Sequence, residues 1–361
     1  MKIKAAIVYS PHDPYVIEEV ELAGPKEDEV LVKIVASGVC HTDHLIACGQ
    51  LAMLHPVVPG HEGSGIVEQV GGQVTDFAPG DRVCMSFSFC GECYACITGR
   101  PYECEENVRL NFGGRAYDGT TRLTKGGVEL SNVFNQSSFA DYAVTHRNNL
   151  VHVPDDMDLS LTGPLGCGIQ TGAGAVLNCL NPEPVSSLVV VGCGGVGMSA
   201  LMAAKLCGCS AIIAIDMVDS RLSLAMELGA THTVNASKTD PVSAVKDITN
   251  GKGADYAVNA TGNGKNSRMA LNCTHNFGKL AHIGGEGEST FDHLGGRMVM
   301  GITEGWSIPK LFIPQLIRFY QDGAFPFDKL VKFYDFDDIN TAAEDSLSGK
   351  TIKPILLMDS R

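Results

Sequence analysis

Two different patterns of apolar and polar positions distinguish two parts of the chain. Up to about residue 150, short alternating segments are separated by Gly- and Pro-rich turns, a pattern typical of a β-rich barrel or sandwich: EVLVKIVASGV, GSGIVEQVG, GDRVCMSF and SFADYAVTH. From residue 186, apolar runs such as SLVVVG, AIIAID and ADYAVNATG alternate with stretches of helical length, which predicts a parallel, doubly wound sheet. After residue 302, SIPKLFIPQLIRFYQDG predicts a helix and TIKPILLM a strand, and we expect this tail to rejoin the first part.

Length, charge and cysteine content narrow the class of protein. A chain of 361 residues predicts about two domains. The formal net charge of -14 argues against a nucleic-acid partner, because nucleic-acid phosphates are bound by clustered Lys and Arg. The N-terminal apolar run ends at Ser10, and the longest later run is interrupted by glycines, so neither predicts a signal sequence or a membrane span. We therefore expect a cytoplasmic protein without a membrane partner, whose clustered cysteines bind metal rather than form disulfides.

The segment SLVVVGCGGVGMSALMAA contains a G-x-G-x-x-G pattern directly after a predicted strand and at the start of a predicted helix. In such a loop the first glycine permits the turn, the second lets a pyrophosphate approach the backbone, and the third lets the helix pack closely. The helix N-terminus then offers free N–H groups to the phosphates. The residues predicted to bind a dinucleotide here are Gly192, Gly194, Gly195, Val196 and Gly197.

The next predicted strand ends at Asp216, 19 positions after Gly197, where a carboxylate accepts hydrogen bonds from the adenosine ribose hydroxyls. A carboxylate there repels a 2′-phosphate, so the sequence favours NAD over NADP, although Arg221 weakens that preference. The alternative is a plain turn and helix cap with a solvated Asp216.

Four cysteines, spaced C-x2-C-x2-C-x7-C, lie in the segment CGECYACITGRPYEC: Cys90, Cys93, Cys96 and Cys104. One loop with this spacing can surround a single tetrahedral ion, and four thiolates leave no open position, which is typical of structural zinc. An iron–sulfur cluster is the alternative, but the usual bacterial pattern has a different last spacing and a following proline. A redox-active thiol pair needs only one C-x-x-C.

A second set of metal ligands is predicted in GVCHTDH, GHEGSG and GPLGCGIQTGAG, where Cys40, His61 and Cys167 stand among Gly-rich turns. Two thiolates and one imidazole leave a fourth tetrahedral position open, as in catalytic zinc. Glu62 is predicted to lie beside the metal as a neighbour or transient ligand, and Asp43 to accept the other ring N–H of His61. Alternatively, each of these residues is an ordinary buried or solvated side chain.

The segments GHEGSGIVEQVG, CGECYACITGRPYEC and VGCGGVGMSA resemble those of the zinc-dependent medium-chain alcohol dehydrogenases, and the resemblance covers the whole chain. Within that family, LGCGIQTGAGAVLN and the KIKAAIV start are most similar to the aryl (benzyl) and allylic alcohol dehydrogenases. The resemblance implies an α/β protein with a GroES-like β-rich catalytic domain, residues 1–152 and 302–361, whose structural-zinc lobe spans 88–106. A Rossmann domain with a doubly wound parallel sheet, residues 153–301, would bind NAD.

The resemblance also assigns roles to single residues. Cys40, His61 and Cys167 would hold a catalytic zinc with Glu62 beside it, and the four lobe cysteines would hold a second zinc ion. Thr42 would take the proton of the alcohol, His41 would contact the coenzyme pyrophosphate and Thr171 would lie near the nicotinamide. Many members have a relay histidine at the place of Leu45, whereas here His44 stands one position earlier, about 100° away around a helix.

The resulting hypothesis is an NAD-dependent oxidoreductase that moves a hydride between a primary aromatic or allylic alcohol and its aldehyde. The resemblance implies a homodimer or homotetramer. A polyol or secondary-alcohol dehydrogenase of the same family is the alternative activity. A non-catalytic dinucleotide- and zinc-binding protein is the alternative class. Such a protein is expected to lack a catalytic zinc ligand, whereas all three are present in this sequence.

Overall fold

The structure is a computed structural model that describes residues 1–284, 291 and 294–358. The described chain divides into two compact units. The first comprises residues 1–167, 308–318 and the described part of 328–361, and the second comprises the described part of 168–307 together with 319–327. The predicted family-domain boundaries, 1–152 with 302–361 against 153–301, stay a prediction, because compactness alone does not define them.

Residues 1–167 form short strands joined by turns, with three short helices. The strands are β1 (Lys2–Ile7), β2 (Val16–Leu22), β3 (Glu29–Gly38), β4 (Val57–Val58), β5 (Gly63–Val70), β6 (Arg82–Met85), β7 (Leu123–Lys125), β8 (Val128–Glu129), β9 (Ser131–Asn132), β10 (Tyr142–His146) and β11 (Leu150–His152). The helices are α1 (His41–Ala47), α2 (Tyr94–Ile97) and α3 (Asn107–Phe112).

The second unit alternates strands and helices, as its sequence pattern predicts. Its strands are β12 (Ser187–Val191), β13 (Ala211–Asp216), β14 (His232–Asn235), β15 (Ala254–Asn259), β16 (Thr274–Ile283) and β17 (Met298–Ile302). Its helices are α4 (Gly168–Gly174), which continues into a π-helical turn at Ala175–Leu180, then α5 (Gly195–Leu206), α6 (Asp219–Leu228), α7 (Pro241–Ile248) and α8 (Gly264–Asn272). The remaining elements are α9 (Pro309–Gln321), β18 (Val331–Asp335), α10 (Ile339–Leu347) and β19 (Lys353–Leu357).

The sheet of the second unit is parallel throughout its described strands, in the order β14-β13-β12-β15-β16-β17. Strand β12 lies in its middle, and Leu188, Val189 and Val190 are fully buried, because helices cover both faces of such a sheet. The chain order reverses beside β12, so the loops after β12 and β15 meet at the point where doubly wound sheets bind ligands.

The main sheet of the first unit has the described order β11-β6-β5-β3-β19-β18, with β10 also paired to β3. Strand β19 is the strand predicted from TIKPILLM, and each of its residues is buried. It runs antiparallel to the end of β3, with Ile355 opposite Gly38 and Leu357 opposite Ala36. A late segment of the chain is therefore placed beside the residues that precede Cys40.

None of the helices in the described residues is both long enough and apolar enough to cross a membrane.

Candidate metal centres and dinucleotide site

Side chains from three separate segments of the first unit converge on one point. The Sγ atoms of Cys40 and Cys167, a ring nitrogen of His61 and a carboxylate oxygen of Glu62 all lie within 4.8 Å of one another. His61 and Glu62 are fully buried, and Cys167 is 9% exposed. Despite its burial, Cys40 has its pKa lowered, chiefly by a hydrogen bond from Cys167, which favours the thiolate that binds metals. Thiolate, imidazole and carboxylate are the ligand types of zinc.

One buried carboxylate orients two of these segments. Oδ1 of Asp43 accepts hydrogen bonds from His61 Nδ1 at 2.9 Å and from the Gly60 N–H at 3.0 Å, and its Oδ2 accepts from the Cys40 N–H at 3.1 Å. Because the carboxylate can only accept, Nδ1 carries a proton, and a neutral ring would present its Nε2 lone pair to a metal ion. His61 Nε2 is buried without a hydrogen-bond partner, so the residues present fit a metal ion at this position.

A segment that the sequence analysis did not identify packs on the same imidazole. The Phe134 ring lies 4.7 Å from the His61 ring, with 31° between their planes. Phe134, Asn135 and Ser137 each have φ of 53°, a left-handed conformation that costs about 1–3 kcal/mol for residues other than glycine. The Ser137 hydroxyl donates to the Val58 carbonyl at 2.7 Å and helps to hold this backbone. No spacing or motif reveals such a turn in advance.

Lys353 is a second residue that the sequence analysis missed. Its ammonium lies 2.9 Å from both carboxylate oxygens of Glu62, and only 4% of Lys353 is exposed. Burial raises the pKa of Glu62, and the facing ammonium opposes that shift. Burial lowers the pKa of Lys353, but the nearby negative charges, first that of the Glu62 carboxylate, together raise this pKa by more than burial lowers it. The lysine therefore stays charged. The only sequence signal was a lysine inside the otherwise apolar run TIKPILLM.

The four lobe cysteines also converge, and their Sγ atoms lie within 4.8 Å of one another. Cys90 Sγ and Cys96 Sγ are 3.9 Å apart, close to the edge of about 3.8 Å in a tetrahedron with Zn–S bonds of about 2.3 Å. Backbone N–H groups, first that of Glu105, lower the pKa of the Cys93 thiol to about 6 and so favour its thiolate. All four are free thiols, so this cluster also fits a tetrahedral metal ion.

The backbone just before Cys90 is fixed by two side chains. Asn111 accepts from the Ser88 N–H at 2.8 Å and donates to the Ser88 carbonyl at 3.0 Å. The Tyr117 hydroxyl accepts from the Phe89 N–H at 3.1 Å and donates to the Phe89 carbonyl at 2.9 Å. The lobe therefore begins from a rigid segment, although the lobe itself has little apolar core.

The glycine loop has the geometry that its pattern predicts. Gly192 has φ of 90°, which favours glycine, and a Cβ on Gly197 would lie 1.7 Å from the Gly192 carbonyl oxygen. A Cβ on Gly194 would meet nothing within 4 Å, so the backbone there faces open space. Gly194 precedes α5, and the free N–H groups at the start of this helix fit a dinucleotide phosphate. Gly195 and Val196, which lie between Gly194 and Gly197 in the sequence, are the first two residues of α5.

Asp216 ends β13 beside this loop. Its Oδ2 accepts from the Cys193 N–H at 2.7 Å, and its Oδ1 accepts from Met217 and Val218 at 2.8 and 3.0 Å. Arg221 Nη1 lies 3.9 Å from Asp216 Oδ2, so the predicted counter-charge does stand next to the carboxylate. The loop and the acidic residue therefore form one arrangement within the second unit.

The other predicted residues lie on α1 and α4. On α1, His41 is exposed and Thr42 is half-buried, and the rings of His41 and His44 are 5.9 Å apart, while Leu45 occupies the next position. Thr171 on α4 is 8% exposed. Helix α4 packs tightly against α5, since a Cβ on its Gly172 would lie 1.9 Å from a carbonyl oxygen at the start of α5.

Comparisons with known proteins identify the family to which the chain is similar. The family described as "Alcohol dehydrogenase GroES-like domain" matches residues 26–155, and that described as "Zinc-binding dehydrogenase" matches residues 195–303. The chain is 42% identical to a geraniol dehydrogenase of Castellaniella defragrans, over 98% of this chain and 97% of the relative.

Two solved structures have the same fold. A benzyl alcohol dehydrogenase from Acinetobacter calcoaceticus has a TM-score of 0.96 and 45% identity, covering 99% of this chain and 100% of that chain. An alcohol dehydrogenase zinc-binding domain protein from Burkholderia ambifaria has a TM-score of 0.96 and 44% identity, with full coverage of both chains.

These similarities confirm the predicted fold class, a GroES-like β-rich part with a Rossmann-type parallel sheet, and the predicted enzyme class, an alcohol dehydrogenase. They confirm zinc and NAD(H) as the cofactors expected of the chain, and a small alcohol or aldehyde as its substrate. The chain therefore belongs to the family of zinc-dependent medium-chain alcohol dehydrogenases, close to its aryl and allylic members.

Proposed function

We propose that this enzyme interconverts primary aromatic or allylic alcohols and their aldehydes, with NAD as the hydride carrier. The observation that supports the chemistry best is the buried convergence of Cys40, His61 and Cys167, with a ring nitrogen of His61 left unpartnered. The relatives named for geraniol and for benzyl alcohol favour an unsaturated or aromatic group next to the alcohol carbon. Two aromatic side chains, Phe134 and the half-buried Phe89, belong to the first unit, as do these three ligands.

In the proposed mechanism, Cys40, His61 and Cys167 hold the catalytic zinc, and Cys90, Cys93, Cys96 and Cys104 hold the structural zinc. When bound, zinc would supply a Lewis acid that lowers the pKa of the alcohol, and NAD would supply the hydride acceptor. The Thr42 hydroxyl accepts the alcohol proton. Asp43 fixes the orientation of His61. Because Leu45 occupies the usual relay position, the bound coenzyme ribose and water would supply the route by which the proton leaves Thr42.

The second unit binds the coenzyme in this proposal. The N–H groups of the loop from Gly192 to Gly197 would bind the pyrophosphate, assisted by His41, and Thr171 would contact the nicotinamide. Asp216 accepts hydrogen bonds from the ribose hydroxyls, and its charge disfavours a 2′-phosphate despite Arg221. A homodimer or homotetramer in the cytoplasm stays a prediction from the sequence.

An alcohol panel with NAD and NADP, paired with metal analysis, tests the proposal. We expect about two zinc ions per chain. We expect the highest kcat/KM with benzyl, cinnamyl or geranyl alcohol and NAD. Replacing Cys40 by Ser removes a ligand, so turnover should fall by more than the roughly 100-fold typical of residues outside the ligand set. A Cys48→Ser variant, which changes a thiol on the far end of α1, is the control.

Three outcomes would contradict the proposal. Turnover that persists in the metal-free, folded enzyme would exclude the proposed zinc chemistry. A kcat/KM for sorbitol or a secondary alcohol well above that for benzyl alcohol would favour the alternative polyol or secondary-alcohol activity. Stoichiometric zinc and NAD binding without turnover on any alcohol would favour the non-catalytic alternative.

A further inference from the structure

The proposed mechanism has no use for Lys353, yet this lysine is buried in the candidate catalytic centre. Its ammonium contacts both Glu62 oxygens at 2.9 Å and lies 3.4 Å from the Val39 carbonyl oxygen. Burying an ammonium group has a large desolvation cost, which a single good partner offsets only in part. A neutral residue would fit the apolar strand β19 at a lower cost, so the charge itself requires an explanation.

We propose that Lys353 is a positioning residue that holds the Glu62 carboxylate away from the metal and thereby keeps the fourth coordination position open for substrate. The inference rests on the proposed assignment of Cys40, His61 and Cys167 as metal ligands. It concerns a residue outside that ligand set.

Glu62 is close enough to become a ligand itself. One of its oxygens lies within 4.8 Å of the other three ligand atoms, so it is within reach of a metal ion shared by them. Two thiolates, an imidazole and a carboxylate would complete a tetrahedron, and a closed site is structural rather than catalytic. Some interaction must therefore favour the position in which the carboxylate faces elsewhere.

The arrangement of charges supplies that interaction. Zinc with two thiolates is neutral overall, and so is Glu62 with Lys353, so each charge has its own partner. Without the ammonium, the buried Glu62 carboxylate would lose its counter-charge beside a divalent cation, and binding that cation would replace the lost charge pair. Lys353 and the metal thus compete for one side chain.

The backbone around Glu62 shapes the place that the carboxylate occupies. A Cβ on Gly38 would lie 2.1 Å from Glu62 Oε2, so the absence of a side chain at position 38 leaves room for the carboxylate next to Lys353. The Gly38 N–H donates to the Glu62 carbonyl at 3.0 Å, which fixes the main chain. Pairing of β19 with β3 brings Lys353 to this point from a distant part of the sequence.

The test is a Lys353→Met variant of the zinc-loaded enzyme. We expect the catalytic zinc to bind more tightly, by about 10-fold or more in competition with a chelator, while kcat/KM falls by about 10- to 100-fold. A crystal structure of the loaded variant should show a Glu62 oxygen about 2.0–2.2 Å from zinc. A residue that merely supports the site would change affinity in the other direction, since losing outer partners ordinarily weakens metal binding.

The double variant Glu62→Gln/Lys353→Met tests whether the effect passes through Glu62. In a Glu62→Gln background, Lys353→Met should leave zinc affinity unchanged, because no carboxylate remains to be released. Lys332→Met is the matched control: this lysine lies on the neighbouring strand β18, with an exposed side chain 3.3 Å from Asp345, and its loss should alter neither zinc affinity nor turnover.

Weaker or unchanged zinc binding in Lys353→Met would overturn the inference, as would an equal tightening in the Glu62→Gln background. If Lys353→Met does not fold, Lys353→Gln removes the charge while keeping a donor, and the same signs apply. A parent enzyme without zinc at Cys40, His61 and Cys167 would instead refute the proposed function, so the two failures are distinguishable.

Discussion

Asp43 connects the start of α1 to the segment that contains Gly60 and His61. It accepts from the His61 ring and from the backbone N–H groups of Gly60 and Cys40, and its side chain is fully buried. One residue therefore sets both the direction of an imidazole and the entry of the chain into α1. An amide cannot serve both functions at once, because it offers one acceptor oxygen instead of two.

We expect Asp43→Asn to lower zinc affinity by about 10- to 100-fold, because its NH2 group would face either the Cys40 N–H or the His61 ring. Equilibrium competition with a chelator measures this. The control is Asp240→Asn in the second unit, where a carboxylate accepts the Ser243 N–H at 2.9 Å as the N-cap of α7. Asparagine caps helices equally well, so this variant should behave like the parent. Unchanged zinc binding in Asp43→Asn would refute the role.

At the scale of elements, the turn between β12 and α5 contains glycine at two positions for different physical reasons. Gly197 allows the helix to pack on the turn, since a Cβ there would lie 1.7 Å from the Gly192 carbonyl oxygen. Gly194 faces open space, where a Cβ would meet no protein atom within 4 Å. Its φ of -83° is accessible to any residue, so the fold does not require glycine there.

This difference predicts opposite results for two substitutions. Gly194→Ala should leave the free energy of unfolding within about 0.5 kcal/mol of the parent, yet weaken NAD binding by about 10-fold or more, because the methyl group would occupy the path of the phosphates. Gly197→Ala should destabilise the protein by about 1–3 kcal/mol through overpacking.

Chemical denaturation and a titration with NAD separate the two effects. If Gly194→Ala bound NAD as tightly as the parent, the loop would not be the phosphate site.

For the molecule as a whole, both units contain carboxylates that are stabilised in the charged form. Although burial opposes it, Lys26 lowers the pKa of Asp118 in the first unit, and Lys252 does the same for the pKa of Asp255 in the second. A hydrogen bond from Tyr334 lowers the pKa of Asp345 to about 2. These carboxylates contribute to stability only while they are ionised.

Stability should therefore fall as the solution is acidified. Each folded-state pKa lies below the value of about 3.9 in the unfolded chain, so the unfolded state takes up protons first. The contribution is complete above about pH 4 and is lost as the pH falls toward 2. Urea unfolding of the parent and of Asp345→Asn should show a difference that shrinks over this range. Asp13→Asn, on an exposed turn, is the control, and a difference independent of pH would contradict the assignment.

How far the sequence predicts this molecule depends on the separation of the interacting residues. The glycine loop spans six positions and the four-cysteine cluster fifteen, so their spacing alone indicates their geometry. Cys40, His61 and Cys167 are distant from one another, and their shared role was predicted from their ligand types and Gly-rich surroundings together with the family resemblance.

Glu62 and Lys353 are 291 positions apart and meet only through the register of β19 against β3, which no local pattern encodes. The left-handed backbone at Phe134 is equally hidden, because phenylalanine has no preference for it.

The late position of β19 affects how the enzyme is made. A ribosome completes β3 and the whole second unit before β19 emerges, so until then Ala36, Ser37 and Gly38 lack their partner strand on one side. Unpaired strand edges in a nascent chain are sites of misassembly, and domains fold as separate units during translation. We expect the second unit to fold first. The catalytic centre should acquire its metal only after synthesis has passed residue 357.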